Sequence, residues 1–447
     1  MLAILVAFAC VFAIDPELGP LELAVVLTIA LSRSQLDRDW RGRLEAAVML
    51  PLVGLACLGV GMLLRAEPAV GAFLFVAGMG LSIWLRRFGP AALRAGSLIA
   101  LPFVVLLVTP YTPSQRLGPV MAACMPLIVA LIALAAVTAF HWLGRRVKLL
   151  APVRVKVEKD AAPATAPEAS TRLPASTRMA IQMVVALAFA FLVGFVFFPG
   201  HWSWVVLTAF IVNSGNRGRG DVVYKSFLRV VGALAGTLGA LTLTVHLGAH
   251  DVVTVAFILL AVFLGIWLRP LNYAWWALFV TLALALLQEY AGTQSALVLW
   301  PRMGEIVVGA LIGVASAWFV LPVRSTAVLR LRIGQALAAL SIALDPATPR
   351  SNAGPDAGPF TAAVARVEEL APAFRARRLV TGRFLDHQPA EWVDLLKACT
   401  LPAVAIIDSG KTPSGLRAEV GKARRAMREP AEILPALQAL KRAIEPK

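Results

Sequence analysis

Charge is scarce in this sequence: Asp, Glu, Lys and Arg together supply 15% of its 447 residues, against 59% apolar ones. Soluble domains carry about 25% charged and about 45–50% apolar residues. A water-soluble chain of this make-up would have nowhere to hide its apolar surface, which excludes a purely aqueous fold. Cysteine is equally sparse. Cys10, Cys57, Cys124 and Cys399 show neither CxxC nor metal-ligand spacing, so a disulfide framework and a metal site both drop out. His141, His201, His246, His250 and His387 form no HExxH or triad-like arrangement, and no GxxxxGK[ST] loop occurs. An enzyme, a resident cofactor and ATP drive within this chain therefore have no basis in the sequence.

No dense basic block interleaved with aromatics accompanies the formal net charge of +16. The excess is spread over residues 1–322, with 23 Lys/Arg against 14 Asp/Glu, and 323–447, with 19 against 12. Basic loops facing the cytoplasm explain this better than a phosphate-binding surface, and nucleic acid is not an expected partner.

Long apolar runs dominate what is present. They cover 1–14, 18–31, 44–64, 68–85, 92–109, 119–143, 179–198, 202–213, 226–247, 252–268, 273–288 and 303–322. A helix crosses hydrocarbon with about 20 residues, so the reading is twelve transmembrane segments. Met1–Ile14 looks like the apolar core of a signal peptide but has no basic residues before it, and is read as the first segment. Alternate loops differ sharply: the even ones hold 19 Lys/Arg and the odd ones only Arg65, Arg116 and Arg302. By the positive-inside rule, the even loops and both termini face the cytoplasm of a bacterial inner membrane.

Ala161–Pro174, rich in Ala, Pro, Thr and Ser, reads as a linker between two similar halves. Leu85-Arg86 matches Leu268-Arg269, and Arg116-Leu117-Gly118 resembles Arg302-Met303-Gly304. The expected architecture is all-α: two parallel six-helix repeats (1–143 and 178–322) joined by a cytoplasmic linker (144–177). A small cytoplasmic helical domain follows (323–447), with helices near 325–343, 359–383, 389–407 and 414–443.

Both halves carry a short second segment, Leu18–Leu31 and Trp202–Asn213. Short helices in matching positions point to a transport site, because unwound backbone at that depth must line a cavity or be buried in protein. After the second one come Asn213, Arg217, Arg219 and then Asp221, Lys225, Arg229, Gly232 and Gly236, the last five sharing one helix face. The charges suit a cationic funnel collecting anions, and the glycines admit a neighbouring backbone. The bland reading of Arg217 and Arg219 is a topology determinant. Arg302, Glu305, Gly309 and Gly313 repeat the design at the periplasmic end of the last segment. There Glu305 is the best-placed carboxylate for proton coupling and Arg302–Glu305 a gating or plain ion pair, with Glu22 a weaker coupling candidate. His201, Trp202 and Trp204 read as interface anchors or as a surface on which an aromatic substrate stacks.

The run from His201 to Gly236, with Arg229-Val-Val-Gly232-Ala233-Leu-Ala-Gly236 at its heart, resembles the signature of the fusaric acid resistance (FUSC) family. Arg302-x-x-Glu305-x-x-x-Gly309 followed by Pro322 resembles the end of the same unit. The likeness spans 178–322, whereas the first half matches only in layout and has no arginine equivalent to Arg229. It implies proton-coupled efflux of aromatic carboxylic acids such as hydroxybenzoates and fusaric acid, often with a periplasmic adaptor protein. Related plant proteins are anion channels. The expected partners are thus a small organic anion, the bilayer, an adaptor and further copies of the chain as a homo-oligomer. A passive organic-anion channel and a non-transporting envelope assembly protein stay open as alternatives. So does a major facilitator, whose loop motif Asp37-Arg38-Asp39-Trp40-Arg41-Gly42-Arg43 resembles with one residue too many.

Overall fold

The computed structural model describes residues 2–34, 40–88, 90–108, 117–147, 175–215, 218–244, 251–290, 299–345, 357–381, 388–410 and 412–445. Among these residues every regular element is a helix. Two compact units emerge, one of residues 1–214 with 226–321 and one of 215–225 with 322–447.

The first unit is built from α1 (Leu2–Ile14), α2 (Leu18–Ser34), α3 (Trp40–Ala66), α4 (Pro68–Trp84), α5 (Pro90–Val108) and α6 (Pro119–Arg146). It continues with α7 (Ala175–Phe197), α8 (Trp202–Asn213), α9 (Arg219–Thr244), α10 (Val252–Leu268), α11 (Tyr273–Tyr290) and α12 (Leu299–Phe319). Helices are what lipid permits, since each satisfies its own backbone. Pro68 and Pro119 open theirs at the first turn, where no donor is needed. Each helix covers one expected apolar run, in order. Their lengths do not all follow the expectation. Gly42–Ala66, Val120–Arg146, Thr177–Phe197, Arg219–Thr244 and Pro301–Phe319 are long and apolar enough to cross a membrane, and the protein is a multi-pass membrane protein. Leu2–Ile14, Gly19–Ser32, Pro68–Trp84, Trp202–Asn213 and Val252–Leu268 are apolar but shorter.

Both second helices fall short of a full span: α2 runs for 17 residues, with Ser32, Arg33 and Ser34 continuing the helix past its last apolar residue, and α8 for 12. One expectation needs correcting here. Arg302, counted as a loop charge, lies inside α12, which begins at Leu299; Pro301 is tolerated in its first turn. Of the linker expected at 144–177, residues 148–174 lie outside the described ones, as do 35–39, 109–116 and 245–250; with them go Asp37–Asp39 of the facilitator-like loop, Arg116, His246 and His250.

Part of the packing recurs in the two halves. α1, α2 and α6 contact one another, as do α7, α8 and α12, and α4 meets α5 as α10 meets α11. α8 is the most enclosed element: Trp204–Phe210, Val212 and Asn213 are all buried.

The second unit is helical too, with α13 (Ser325–Ala343), α14 (Gly358–Glu368), α15 (Ala371–Thr381), α16 (Pro389–Ser409), α17 (Leu416–Ala426) and α18 (Pro430–Ile444). Two long helices expected at 359–383 and 414–443 are each divided. One division lies at Glu369–Leu370, with Pro372 in the first turn of the next helix, and the other falls just before Pro430, which holds its predecessor Glu429 in extended geometry. α13 also meets the length and hydropathy of a membrane span. Yet Leu329, Ile333, Ala336, Leu337 and Leu340 sit in a core shared with Phe360, Trp392, Leu396 and Leu437, so its apolar face is covered by protein. The turn before α9 belongs to this unit as well. Arg219 N donates to Val323 O (3.1 Å) and Gly220 N to Ser325 Oγ (2.9 Å). Gly218 takes φ +131° there, and a side chain on it would run into Ser325.

Candidate functional site

Arg229 projects from α9 into the interior of the first unit and is 1% exposed. α9 and α11 run parallel and nearly touch: a Cβ on Gly232 would meet Ala277 and the Ala274 oxygen, and one on Gly236 would collide with the Leu278 oxygen. The crevice beside these glycines takes the arginine side chain. Its Nη1 donates to Thr281 Oγ1 (3.2 Å), near the middle of the 18-residue α11, so the guanidinium reaches inward and does not snorkel to a helix end. Nε and Nη2 are buried and have no partner among the described residues. These two nitrogens form one edge of the guanidinium, a pair of parallel donors of the kind that receives a carboxylate two-pronged. The Tyr273 and Ser226 hydroxyls are also enclosed without a partner among the described residues. Tyr273 lies within electrostatic reach of Arg229. Burying an arginine in a membrane costs roughly 2.5–3.5 kcal/mol even on lenient scales, and one hydroxyl acceptor offsets little of that.

A second polar cluster sits at the beginnings of α8 and α12. Gly309 and Gly313 hold the two helices together, since a Cβ on Gly309 would collide with the Val205 oxygen and one on Gly313 would press on Asn213 and Val212. Glu305 and Arg302, each 2% exposed, stand one and two turns before Gly309 on α12. The Arg302 guanidinium lies 4.3 Å over the Trp204 ring, and its Nη2 donates to Gln288 Oε1. Glu305 Oε1 is 3.9 Å from His201 Nδ1, while Oε2 is buried without a partner among the described residues.

The other candidates are engaged elsewhere. Lys225 pairs with Asp221 (2.9 Å) and donates to the Gly215 oxygen (3.1 Å), so this cation is largely neutralised. Asn213 donates to Ala209 O (3.0 Å) and accepts from Ser316 Oγ (3.3 Å). Trp202 packs against Phe191 and Phe195 of α7, and Trp204 is buried beneath Arg302. Arg219 is half-buried at the start of α9, whereas Arg217 and the Glu22 side chain lie outside the described residues. Sequence reasoning missed Thr281, Tyr273 and Gln288. Each is a polar residue near or within an apolar run, which is the one signal that could have drawn notice to them.

Residues 184–316 match the fusaric acid resistance protein-like family, an interval that contains α8 and α9 entire together with both polar clusters. No curated protein and no solved structure matches the chain. The matched interval includes Arg229, Arg302 and Glu305, and it is over residues 184–316 that the chain is similar to the fusaric acid resistance protein-like family.

Proposed function

We propose that the protein is an inner-membrane exporter of organic anions, most suited to aromatic carboxylates, driven by protons. The observation that carries this is Arg229, a cation buried among apolar helices with a two-donor edge that no described residue fills. A permanent charge at that depth is costly unless an anion answers it. A carboxylate fits the Nε/Nη2 edge in shape as well as charge, and an apolar body fits the surrounding helices. Glu305 is the coupling carboxylate, enclosed at the opposite end of the domain from the basic loops. The family likeness supports efflux, and the distribution of Arg and Lys supports twelve crossings with both termini and the C-terminal unit in the cytoplasm. The similar contacts of α1–α2–α6 and α7–α8–α12 support a parallel repeat.

The test is uptake of a labelled hydroxybenzoate into inverted membrane vesicles under an imposed proton gradient. Wild type should accumulate it, and Arg229→Ala should lose that activity while inserting and expressing normally. Arg229→Lys keeps the charge but not the paired donors, and should fall by roughly tenfold, equivalent to about 1.4 kcal/mol. Export by Arg229→Ala at the wild-type rate would sink the reading. A current reversing at the anion's equilibrium potential would identify a channel instead.

A further inference from the structure

Glu305 has a neighbour 104 positions away in the chain whose chemistry differs from every other group around it. His201 caps the N-terminus of α8, in the turn that follows Pro199 and Gly200, and its side chain is 36% exposed. Glu305 is 2% exposed, and the closest approach between them, from Nδ1 to Oε1, is 3.9 Å. One member of the pair is open at the surface of the protein, and the other is enclosed. The close packing of α12 on α8 at Gly309 and Gly313 fixes the two in that relation.

We infer that His201 is the proton relay of Glu305, the group through which a proton passes between bulk water and the enclosed carboxylate. This rests on the export reading, in which proton flow accompanies the anion. In the loading step a hydronium ion of the bulk water gives its proton to Nε2, leaving a water molecule and an imidazolium whose Nδ1 also carries a proton. The Nδ1–H bond then breaks as the Oε1–H bond forms, which leaves a neutral imidazole and a neutral carboxylic acid. The reverse sequence returns the proton. Histidine suits the role because its charge changes near neutral pH. Among the described residues, the other elements packed here bring the following groups. Arg302, on the same helix, is always charged and is held against Trp204 and Gln288. α7 from Met179 to Phe197 and the whole of α8 contain no charged residue, and α11 brings Glu289 and Tyr290 next to Gln288. α9 meets α12 through Thr237 and Met303, both uncharged. In the proposed orientation the starts of α8 and α12 face the periplasm, the side from which an inward proton gradient delivers.

Full-length His201→Ala tests this in the same vesicles, with two measurements. Proton-driven uptake of labelled hydroxybenzoate should slow on the order of a hundredfold, as when a positioned proton donor is removed. Exchange of labelled for unlabelled hydroxybenzoate without a gradient should persist, which also shows that the variant is folded. Imidazole added on the side of the α8 start should restore driven uptake, which a merely structural role for His201 would not allow. In a Glu305→Gln background, His201→Ala should add no further loss. Driven uptake by His201→Ala at the wild-type rate and pH profile overturns the relay. So does failure of imidazole to restore uptake in a variant that still exchanges, or an additive loss in the double variant. Wild-type vesicles that accumulate nothing would instead bring down the export reading itself, and the relay with it.

Discussion

Burial has opposite chemical consequences for Cys399 and Arg229. A guanidinium stays charged in proteins, so enclosing Arg229 creates a standing demand for an anion. A thiol answers enclosure by keeping its proton. Cys399 is 1% exposed in the core of the C-terminal unit, and burial pushes its thiol up to about 11, with Lys441 opposing and Glu445 reinforcing the effect. Thiolate is the reactive form. Cys399 should therefore resist maleimide at pH 7–8 for as long as that unit stays folded and react at once in denaturant, which mass spectrometry after timed quenching would reveal. The same shift makes a statement about stability. The folded state holds the thiol proton more tightly than the unfolded chain, so this contribution is complete below the ordinary value of 9.0 and disappears as pH climbs towards 11. Thermal melts of the C-terminal unit should show a falling midpoint across that interval, and the fall should be absent from Cys399→Ala.

Among the helices, the pairs that meet through glycine are the least tolerant of change. A valine at Gly309 would drive its Cβ into the Val205 oxygen and its methyls into Thr208, with no flexible side-chain end to yield. Overpacking of this sort costs about 1–3 kcal/mol, and α8 has few residues over which to spread the strain. Gly309→Val should lower the detergent-solubilised melting temperature and expression together, whereas Gly304→Ala, where nothing lies within 4 Å, should leave both unchanged. Gly309 and Gly313 were legible as one face from their spacing alone, as were Arg229, Gly232 and Gly236, because helical geometry follows from local sequence. The shortness of α8 was legible too, bounded by Pro199-Gly200 and by Ser214-Gly215. The continuation of α2 through Ser32–Ser34 was not, since hydropathy marks where apolar residues stop and not where a helix does. Nor could Thr281 be assigned to Arg229, or His201 to Glu305. Those pairs are 52 and 104 residues apart and exist only through tertiary packing.

For the molecule as a whole, the even spacing of basic loops makes a claim that lengths do not. Single cysteines placed by turns on the two sides of a cysteine-free background would locate each turn by their reaction with an impermeant maleimide on intact cells. Positions near Glu67, Gly200 and Asn272 sample successive classes of connection. Glu67 and Gly200 should label from outside and Asn272 only after permeabilisation; labelling of Asn272 in intact cells would refute twelve crossings with cytoplasmic ends. The glycine contacts carry a mechanical corollary for such a structure. α9 with α11, and α8 with α12, are each joined main chain to main chain, so neither duo can shear internally without atoms overlapping. Each behaves as a rod. One rod bears the guanidinium of Arg229 and the other bears Glu305 and its imidazole neighbour. Where Thr237 of the first meets Met303 of the second, a hydroxyl rests on a pliant thioether. In the export reading proposed above, yielding at that contact would let the anion's ligand and the proton's move apart as two bodies.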